Sequence, residues 1–369
     1  MNILEDKRKE YLRIFLSLIG LLVVIGLIFI YSASSIFALE KFGSAHYFLK
    51  KQLIYLIFSF LGFFVFAQVP IGLLKRLAPY LFLFSLGLTV LTLFPFMSTR
   101  IHGSSRWLNV FGLRFQPSEI LKLFLFIYIG FFLERKQNHI KSFVHSYLPF
   151  LLVLGATFIV LLKQPDFGSV VTIFITAFTV FFVAEFRMMH LLITFLATLP
   201  LGLYLILTRS YRLNRVLIFL NPWADPQGQG FQIIQSLIAI GSGQWWGLGI
   251  AGSKQKFFYL PMQHTDFIFP IIAEETGFVG SLLLVGIFFL VCFYGLRLAL
   301  TFKEPFAFFT TLSFIVFISL QAAINFMVTL GLVPTKGLGL PFVSFGGTAL
   351  VCMISMIGLI VNFVRSART

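Results

Sequence analysis

A short polar stretch, His264-Thr265-Asp266, stands directly before a long apolar run. An aspartate in such a place could act as a general base, because an ionised carboxylate accepts a proton from a reacting hydroxyl. A helix that begins there would lower the pKa of Asp266 and attract phosphate, since the N-terminus of a helix carries partial positive charge. The simpler alternative is that Thr265 or Asp266 only caps this helix, with Pro270 in its first turn. Asp266 is our first candidate for a catalytic residue.

Basic side chains recur at the polar connections between apolar runs, and each has two interpretations. Glu119 and Lys122 share one predicted helix face, where they form either a self-sufficient ion pair or a phosphate contact in which Glu119 orients Lys122. Arg106, next to Trp107, is either an anchor at the membrane surface or a second phosphate clamp. Lys336 is either a snorkelling lysine or a further anion contact. The residue types alone leave these alternatives open.

Three other acids need an explanation. Asp166 lies in a very tight turn, where it either caps the following helix or holds a substrate hydroxyl or a divalent cation. Glu274 and Glu275 lie two turns into the apolar run that follows Asp266. Adjacent acids at that depth are costly unless one of them is protonated or paired.

The stretch 209–270 is the only long run that does not look membrane-spanning. Within it, residues 231–240 have an amphipathic pattern that predicts a helix in the plane of the membrane interface. The glycine-rich residues 241–252 either let the backbone approach a bulky ligand closely or form a flexible lid. The basic and aromatic residues that follow the glycines are Lys254, Lys256, Phe257, Phe258 and Tyr259.

The composition indicates the class of protein. Of the 369 residues, 59% are hydrophobic and only 11% are charged, whereas about 25% of the residues in soluble domains are charged. We therefore predict an all-α polytopic membrane protein, because a bilayer leaves the backbone of an open segment no partner other than its own helix. The predicted ten spans lie near 12–33, 48–67, 77–96, 117–133, 147–163, 168–185, 188–207, 268–297, 305–333 and 343–364.

Charge asymmetry predicts the orientation of these spans. An even number of spans places both termini on one side, and lysine and arginine are more frequent in the short connections of that side. Both termini are therefore predicted to be cytoplasmic, and the loop of about 208–267 extracytoplasmic. The first span lacks a clear cleavage site and is predicted to be a retained signal anchor. The net charge of +15 also leaves the outer side basic, for contact with either anionic lipid headgroups or an anionic substrate such as a lipid-linked phosphate.

Several motifs follow one another in order: RWL at 106–108, FQPSEILK at 115–122, QPDFG at 164–168, DPQGQGFQIIQSLIAIGSG at 225–243, SKQKFFYLP at 253–261, HTDFIF at 264–269 and PTKGLGLPFVSFGG at 334–347. Together they resemble the SEDS family (shape, elongation, division and sporulation), the membrane glycosyltransferases of bacterial peptidoglycan synthesis. The resemblance covers nearly the whole chain, and it is stronger to the division branch than to the elongation branch. There are two departures. Met262 stands where the family has Glu, and Ser344-Phe345-Gly346-Gly347-Thr348-Ala349 stands where it has SYGGSS.

The resemblance implies polymerisation of lipid II on the outer face, with Asp266 as the essential loop aspartate. As general base, Asp266 would take the proton of a sugar hydroxyl that attacks the anomeric carbon of the lipid-linked chain, with inversion. The leaving pyrophosphate would be neutralised by Arg106, Lys122, Lys256, Lys336 or a divalent cation, Mg or Mn; no cofactor is otherwise implied. The other substrate contacts that the resemblance implies are Glu119, Gln164, Asp166, His264, Thr265, Glu275 and Ser344.

The resemblance also implies the surroundings of the reaction. The expected partners are lipid II, glycan linked to undecaprenyl pyrophosphate, a class B penicillin-binding protein that acts as transpeptidase, other divisome proteins and membrane lipids, but no nucleic acid. The expected location is the bacterial cytoplasmic membrane, with enrichment at the division septum, and residues 1–369 are expected to form one membrane domain. Three alternatives stay open: an elongation-type polymerase, a lipid II flippase and a non-catalytic scaffold.

Overall fold

The computed structural model describes residues 3–94, 98–101, 104–110, 113–208, 210–228, 230–256, 261 and 263–367. Within these residues the fold is mainly helical. The helices are α1 (Ile3–Phe42), α2 (Tyr47–Gln68), α3 (Ile71–Leu91), α4 (Pro117–Lys136), α5 (Leu148–Lys163), α6 (Phe167–Val183), α7 (Met188–Leu207), α8 (Ser210–Leu220), α9 (Phe231–Ser242), α10 (Ile268–Ala299), α11 (Pro305–Thr329) and α12 (Gly347–Ser366). Three short strands are β1 (Ser98–Ile101), β2 (Ser104–Val110) and β3 (Leu113–Phe115).

Each apolar run that was predicted to span the membrane coincides with one of these helices. Among the described residues, eight helices are long and apolar enough to cross a membrane: α1, α2, α3, α5 with the π-helical turn before it, α7, α10, α11 and α12. α6 is shorter, at 17 residues, and α4 carries the ionisable residues Glu119 and Lys122 near its start. A polytopic membrane protein is therefore confirmed, and the full number of ten crossings stays a prediction.

The centre of the bundle is formed by α11 and α12, whose side chains are buried over most of their length. α12 packs along α2, and α11 packs against α4, α6 and α10. The amide of Asn362 donates to the carbonyls of Phe66 (2.9 Å) and Val69 (2.7 Å), and so fixes the end of α12 against the end of α2.

A three-stranded antiparallel sheet between α3 and α4 was missing from the all-α prediction. β2 is the middle strand, and it pairs with β3 in a register that sets Leu108 opposite Phe115. β3 is followed almost at once by α4, which begins at Pro117 as predicted from the missing N–H of proline. The sheet therefore fixes Arg106, in the middle of β2, relative to the start of α4.

α10 is interrupted at Gly277, which has φ 70° and ψ −166°. The glycine-rich segment, residues 243–252, fills the break: a Cβ on Gly277 would lie 2.4 Å from the backbone nitrogen of Gly247. The close backbone approach that these glycines allow is made to α10, and an approach to a bulky ligand stays a prediction. The bonds that satisfy the break run from Leu248 N–H to Glu274 O (2.9 Å), from Gly249 N–H to Glu275 O (3.0 Å) and from Phe278 N–H to Gln244 O (2.8 Å).

Candidate active site

The stretch 264–266 lies directly before α10 and is held by its backbone. α10 begins at Ile268, and Phe267 occupies the cap position without a side-chain cap bond. The prediction that Thr265 or Asp266 caps this helix is therefore wrong, because the helix begins too late for either residue. Three successive carbonyls accept hydrogen bonds instead: His264 O from Phe345 N–H (2.9 Å), Thr265 O from Ser344 Oγ (2.6 Å) and Asp266 O from Asn325 Nδ2 (2.8 Å).

The connection between α11 and α12 forms the second wall of the site. Ser344 Oγ also accepts a hydrogen bond from Leu340 N–H (2.7 Å), so this side chain organises the loop in addition to holding Thr265. Gly337 lies so close to Asp266 that a Cβ at this position would be 3.2 Å from Oδ2 of the carboxylate. The sequence predicted Ser344 as a substrate contact, and the structure places it nine-tenths buried in a positioning role.

Arg106 reaches the site from the sheet. Its guanidinium donates to the carbonyls of Gln164 (3.1 Å) and Pro165 (2.5 Å), and it lies 3.8 Å from Oδ1 of Asp166. Asp166 in turn caps α6, since its carboxylate accepts bonds from the backbone N–H (3.3 Å) and hydroxyl (2.8 Å) of Ser169. The capping alternative for Asp166 is confirmed, and the same carboxylate also faces Arg106.

Gln164 is fully buried in this turn. Its amide donates to the carbonyl of Thr89 (3.0 Å) and to the hydroxyl of Thr92, which joins the turn to the end of α3. In this position the side chain holds the turn 163–166 in place under Arg106. In the described fold the side chain of Gln164 therefore makes structural hydrogen bonds, whereas the sequence predicted a substrate contact at this residue.

Two further basic residues, Arg212 and Arg215, lie on α8, and neither was predicted as a site residue. Arg215 donates to the carbonyl of Thr335 (3.0 Å) in the α11–α12 connection. The guanidinium of Arg212 lies 5.4 Å from the ring centre of Phe167, and the ammonium of Lys336 lies 5.7 Å from the same ring. Arg212 and Arg215 are three residues apart on a helix with few acidic neighbours, and this spacing was the signal in the sequence that could have identified them. We define the basic rim as Arg106, Arg212, Arg215 and Lys336.

The electrostatics of Asp266 differ from the expectation. Burial raises the pKa of this half-buried carboxyl from 3.8 to about 6, opposed by the positive charges of Arg106 and Arg215 and reinforced by the negative charge of Asp166. The predicted lowering by the helix N-terminus is therefore wrong, because α10 begins beyond the residue and desolvation dominates. Burial also lowers the pKa of Lys336.

His264 is surrounded by aromatic rings. The ring centres of Phe37, Phe48 and Phe345 lie 5.9, 4.2 and 5.8 Å from the imidazole centre. Burial in this apolar cage lowers the pKa of His264 to about 4, so the ring is neutral at physiological pH. The substrate contact predicted at His264 stays a prediction, and near neutral pH the ring would make it as a neutral hydrogen-bonding group.

The Glu119–Lys122 pair lies in the helix bundle. Lys122 Nζ donates to Glu119 Oε1 at 2.6 Å, only 1% of Lys122 is exposed, and its ammonium lies 5.1 Å from the ring centre of Phe317. This arrangement supports the self-sufficient ion pair. The described fold gives Lys122 no route to a phosphate on the surface.

Glu275 and Lys256 are brought together at the break of α10 instead of at Asp266. The hydroxyl of Ser32 donates one bifurcated hydrogen bond to the two carboxylate oxygens of Glu275 (2.6 and 2.8 Å), and Glu275 lies 3.5 Å from Nζ of Lys256. Glu274 accepts bonds from the hydroxyl of Ser253 and from Lys254 N–H (2.9 Å). The need for pairing was correctly predicted, and the partners are the protein's own. We call Ser32, Ser253, Lys256, Glu274 and Glu275 the buried acid cluster.

Two further expectations concern residues outside the described ranges. Met262, and the aromatic residues 257–259 beside Lys256, lie outside them. Among the residues that are described, no group of three or more His, Cys, Asp or Glu side chains is placed to hold a metal ion. The carboxylate of Asp166 is already bonded to Ser169 and faces Arg106. The divalent cation that the resemblance allows stays a prediction, and we derive no step through it.

The geometry thus defines a membrane protein in which Asp266 and the basic rim come from three connections, and Asp166 comes from a fourth. A family model described as "Cell cycle protein", named for FtsW, RodA and SpoVE, matches residues 12–369, and the chain belongs to this family. This confirms the SEDS resemblance.

Relatives of known name are similar over nearly their whole length. A "Probable peptidoglycan glycosyltransferase FtsW" from Geobacter sp. (strain M18) is 38% identical over 352 residues, which cover 95% of this chain and 96% of the relative. "Stage V sporulation protein E" from Bacillus subtilis (strain 168) is 37% identical, with 94% and 95% covered.

Two solved structures share the fold. A chain from a structure described as "Structural coordination of polymerization and crosslinking by a peptidoglycan synthase complex" has a TM-score of 0.79 and 30% identity, covering 95% of this chain and 97% of that one. The rod shape determining protein RodA of Thermus thermophilus has a TM-score of 0.71 and 26% identity, covering 96% and 97%. The overall fold of the chain is therefore one that solved structures already show.

Proposed function

We propose that the chain is a peptidoglycan glycosyltransferase that polymerises lipid II into glycan strands on the outer face of the cytoplasmic membrane. Relatives named for this activity, at 36–38% identity over nearly the whole chain, support the reaction class. The observation that carries the mechanism is the position of Asp266, a carboxyl with a pKa of about 6 next to a basic rim. The number of relatives named FtsW supports a role in septal wall synthesis.

Asp266 serves as the general base. The acceptor is a sugar hydroxyl, which is a poor nucleophile at neutral pH, and a carboxylate with a pKa near 6 is mostly ionised there yet more basic than an ordinary aspartate. As the hydroxyl oxygen forms a bond to the anomeric carbon of the donor, its proton moves to Asp266. The bond from that carbon to the pyrophosphate oxygen breaks, and the electron pair leaves with the pyrophosphate. Attack on the opposite face inverts the α-linked donor to a β1,4 bond.

The basic rim receives the charge of the leaving pyrophosphate. Arg106 and Arg215 are already held in place by backbone carbonyls, so little reorganisation is needed when negative charge develops. Lys336 contributes a third positive charge, in a partly desolvated place where a charge–charge interaction is stronger than in water. Thr265 and Ser344 act through the backbone that carries Asp266.

The topology supports an extracytoplasmic site. Arg106 lies between α3 and α4, Asp166 between α5 and α6, Asp266 between α7 and α10, and Lys336 between α11 and α12. If the predicted ten helices all cross the membrane, these four connections lie on one face, opposite both termini. The basic bias of the other face then makes the termini cytoplasmic and the loop of about 208–267 extracytoplasmic. We propose that residues 1–369 act as this one membrane domain.

The partner is proposed from the same likeness. The similar solved structure is described as a synthase complex that coordinates polymerization and crosslinking. By analogy, this chain supplies the polymerase, and a class B penicillin-binding protein supplies the transpeptidase, with other divisome proteins at the septum. Enrichment of a fluorescent fusion at midcell supports the division role, whereas sidewall enrichment assigns the chain to elongation.

One experiment separates polymerase, flippase and scaffold. The purified full chain and its penicillin-binding partner receive fluorescent lipid II in detergent, where no leaflets exist between which a lipid could flip. The wild type is expected to give glycan ladders and Asp266→Asn none. Glu40→Gln is the matched control, because it removes one carboxylate charge from an exposed position at the end of α1. Absence of polymer from the wild type with an active partner, or full activity in Asp266→Asn, contradicts the proposal.

A further inference from the structure

Asn325 is a buried polar residue in the last two turns of the central helix α11, and only 1% of it is exposed. Its amide nitrogen donates two hydrogen bonds, to Asp266 O (2.8 Å) and to Leu338 O (2.7 Å). A buried amide in a membrane helix is costly unless its donors are paired. Both donors of Asn325 are spent on backbone carbonyls of segments outside its own helix, so the amide serves those segments and not α11.

The two carbonyls belong to the two segments that meet at the candidate base. One is the stretch 264–267, which carries the Asp266 carboxylate. The other is the α11–α12 connection, in which a Cβ added to Gly337 would lie 3.2 Å from Oδ2 of Asp266. Lys336 of the basic rim directly precedes this glycine. One amide group thus sets the distance between the base and the segment that carries a rim cation.

A neighbouring residue offers an internal comparison. Gln321 lies one turn earlier on α11, is 4% exposed, and donates to Gly339 O at 2.9 Å. It therefore holds the same connection from the same helix with a side chain of the same chemistry. Gln321 bonds to the connection alone, whereas Asn325 bonds to the connection and to the backbone of Asp266.

We propose that Asn325 is a positioning residue for the transfer reaction, which fixes the Asp266 carboxylate relative to Lys336 by bridging their two backbone segments. The inference rests on the proposed function, because it gives Asn325 a role through Asp266. Loss of the bridge misplaces the base without removing a group that contacts substrate. The turnover number then falls, and the apparent affinity for lipid II is retained, because reaction rates depend steeply on the placement of reacting groups.

The test compares Asn325→Leu with Gln321→Met in the lipid II assay, with kcat and KM determined per folded molecule and Asp266→Asn as the reference for lost chemistry. We expect kcat to fall by about 10²-fold in Asn325→Leu, with KM within about twofold of the wild type by the same argument. We expect Gln321→Met to keep most of the wild-type kcat. Asn325→Asp, which keeps the volume but puts a carboxyl oxygen in place of the amide donor, replaces Asn325→Leu if the latter does not accumulate.

The outcomes separate the two proposals. If Asp266→Asn is inactive and the Asn325 variant keeps wild-type kcat, the positioning role is wrong and the proposed function stands. If both α11 variants lose kcat equally, Asn325 has no special part beyond holding the connection, and the inference is also wrong. If Asp266→Asn keeps full activity, the proposed function itself is wrong.

Discussion

Two acidic sites lie at the two ends of the first segment of α10, and they are built in opposite ways. At the break, Glu275 is fully buried, and its oxygens are occupied by Ser32 and Lys256 at short distances. Before the helix, Asp266 is half-buried, and its positive neighbours Arg106 and Arg215 spend hydrogen bonds on the carbonyls of other segments. The oxygens of Glu275 are thus bonded within the protein, whereas the carboxyl of Asp266 lies among positive charges that oppose the rise of its pKa by burial.

The difference shows how a structural acid and a candidate catalytic acid are told apart. A buried carboxylate with protein partners for its oxygens has its desolvation cost offset by those partners and is unavailable to a substrate. A carboxyl whose pKa is raised to about 6 by burial, against two arginines, is poised to exchange a proton near neutral pH. Both Asp266 and Glu275 were predicted as site residues, and only the fold shows that Glu275 is paired within the protein.

Of the variants that test this comparison, Asp266→Asn is expected to change the polymerisation rate most. Loss of a general base lowers the polymerisation rate by about 10²–10⁴-fold. The folded-state pKa of about 6 lies above the ordinary 3.8, so the ionised form costs stability at neutral pH, and this cost appears as the pH rises from about 4 to about 6. The unfolding temperature of Asp266→Asn at pH 7 should therefore equal or exceed that of the wild type; a clear decrease would assign Asp266 a structural role.

The opposite result is expected for Glu275→Ala. Removing this carboxylate leaves Lys256 buried without its charge partner, which costs about 3–5 kcal/mol of stability. Thermal unfolding in detergent should show the loss, and the activity of the molecules that remain folded should stay near the wild-type level. A stable Glu275→Ala protein that has lost polymerisation would move Glu275 into the active site and break the comparison.

A smaller effect tests the charges around Asp266. Arg215 lowers the pKa of Asp266 and Asp166 raises it. Arg215→Gln is therefore expected to move the acid limb of the pH–rate profile to higher pH, and Asp166→Asn to lower pH. Asparagine is also a good helix cap, so the second variant keeps the start of α6. Shifts in the same direction in both variants contradict the assigned electrostatics.

The smallest effect is expected from the Glu119–Lys122 pair. The double variant Glu119→Gln with Lys122→Met removes both charges and should keep polymerisation within a few-fold, because no unpaired charge is left buried. Lys122→Met alone leaves Glu119 unpaired and should lower the unfolding temperature. Loss of activity in a stable double variant would restore Lys122 as a phosphate contact.

The long helices were predictable because apolar runs of about 20 residues have few other solutions in a bilayer. The break at Gly277 was not, because a glycine in an apolar run reveals its backbone conformation only when Gly247 packs against it. The small sheet was missed because its strands are short and polar, and long-range pairing with β3 decides them.

Only part of the candidate site could be predicted from the sequence. Asp266, Arg106 and Lys336 were found because each lies in a polar connection, and those connections meet. Lys122 and Lys256 were given the same role, yet both are buried against acids of the protein. Residue type does not reveal whether a charge is paired within the chain. Arg215 was missed because its neighbour in space, Thr335, is distant in sequence.

The central claim, that Asp266 is the general base, is tested most directly by the pH dependence of the polymerisation rate. The initial rate of glycan formation is measured in detergent between about pH 4.5 and 8 at lipid II concentrations well below KM, where the rate reports the pKa values of the free enzyme. The account predicts an acid limb with a midpoint near pH 6, where Asp266 takes up its proton, and a rate that falls about tenfold per pH unit below it. His264 does not add a second limb there, because its pKa is about 4. A rate that stays constant through this range in the folded wild type would contradict the account.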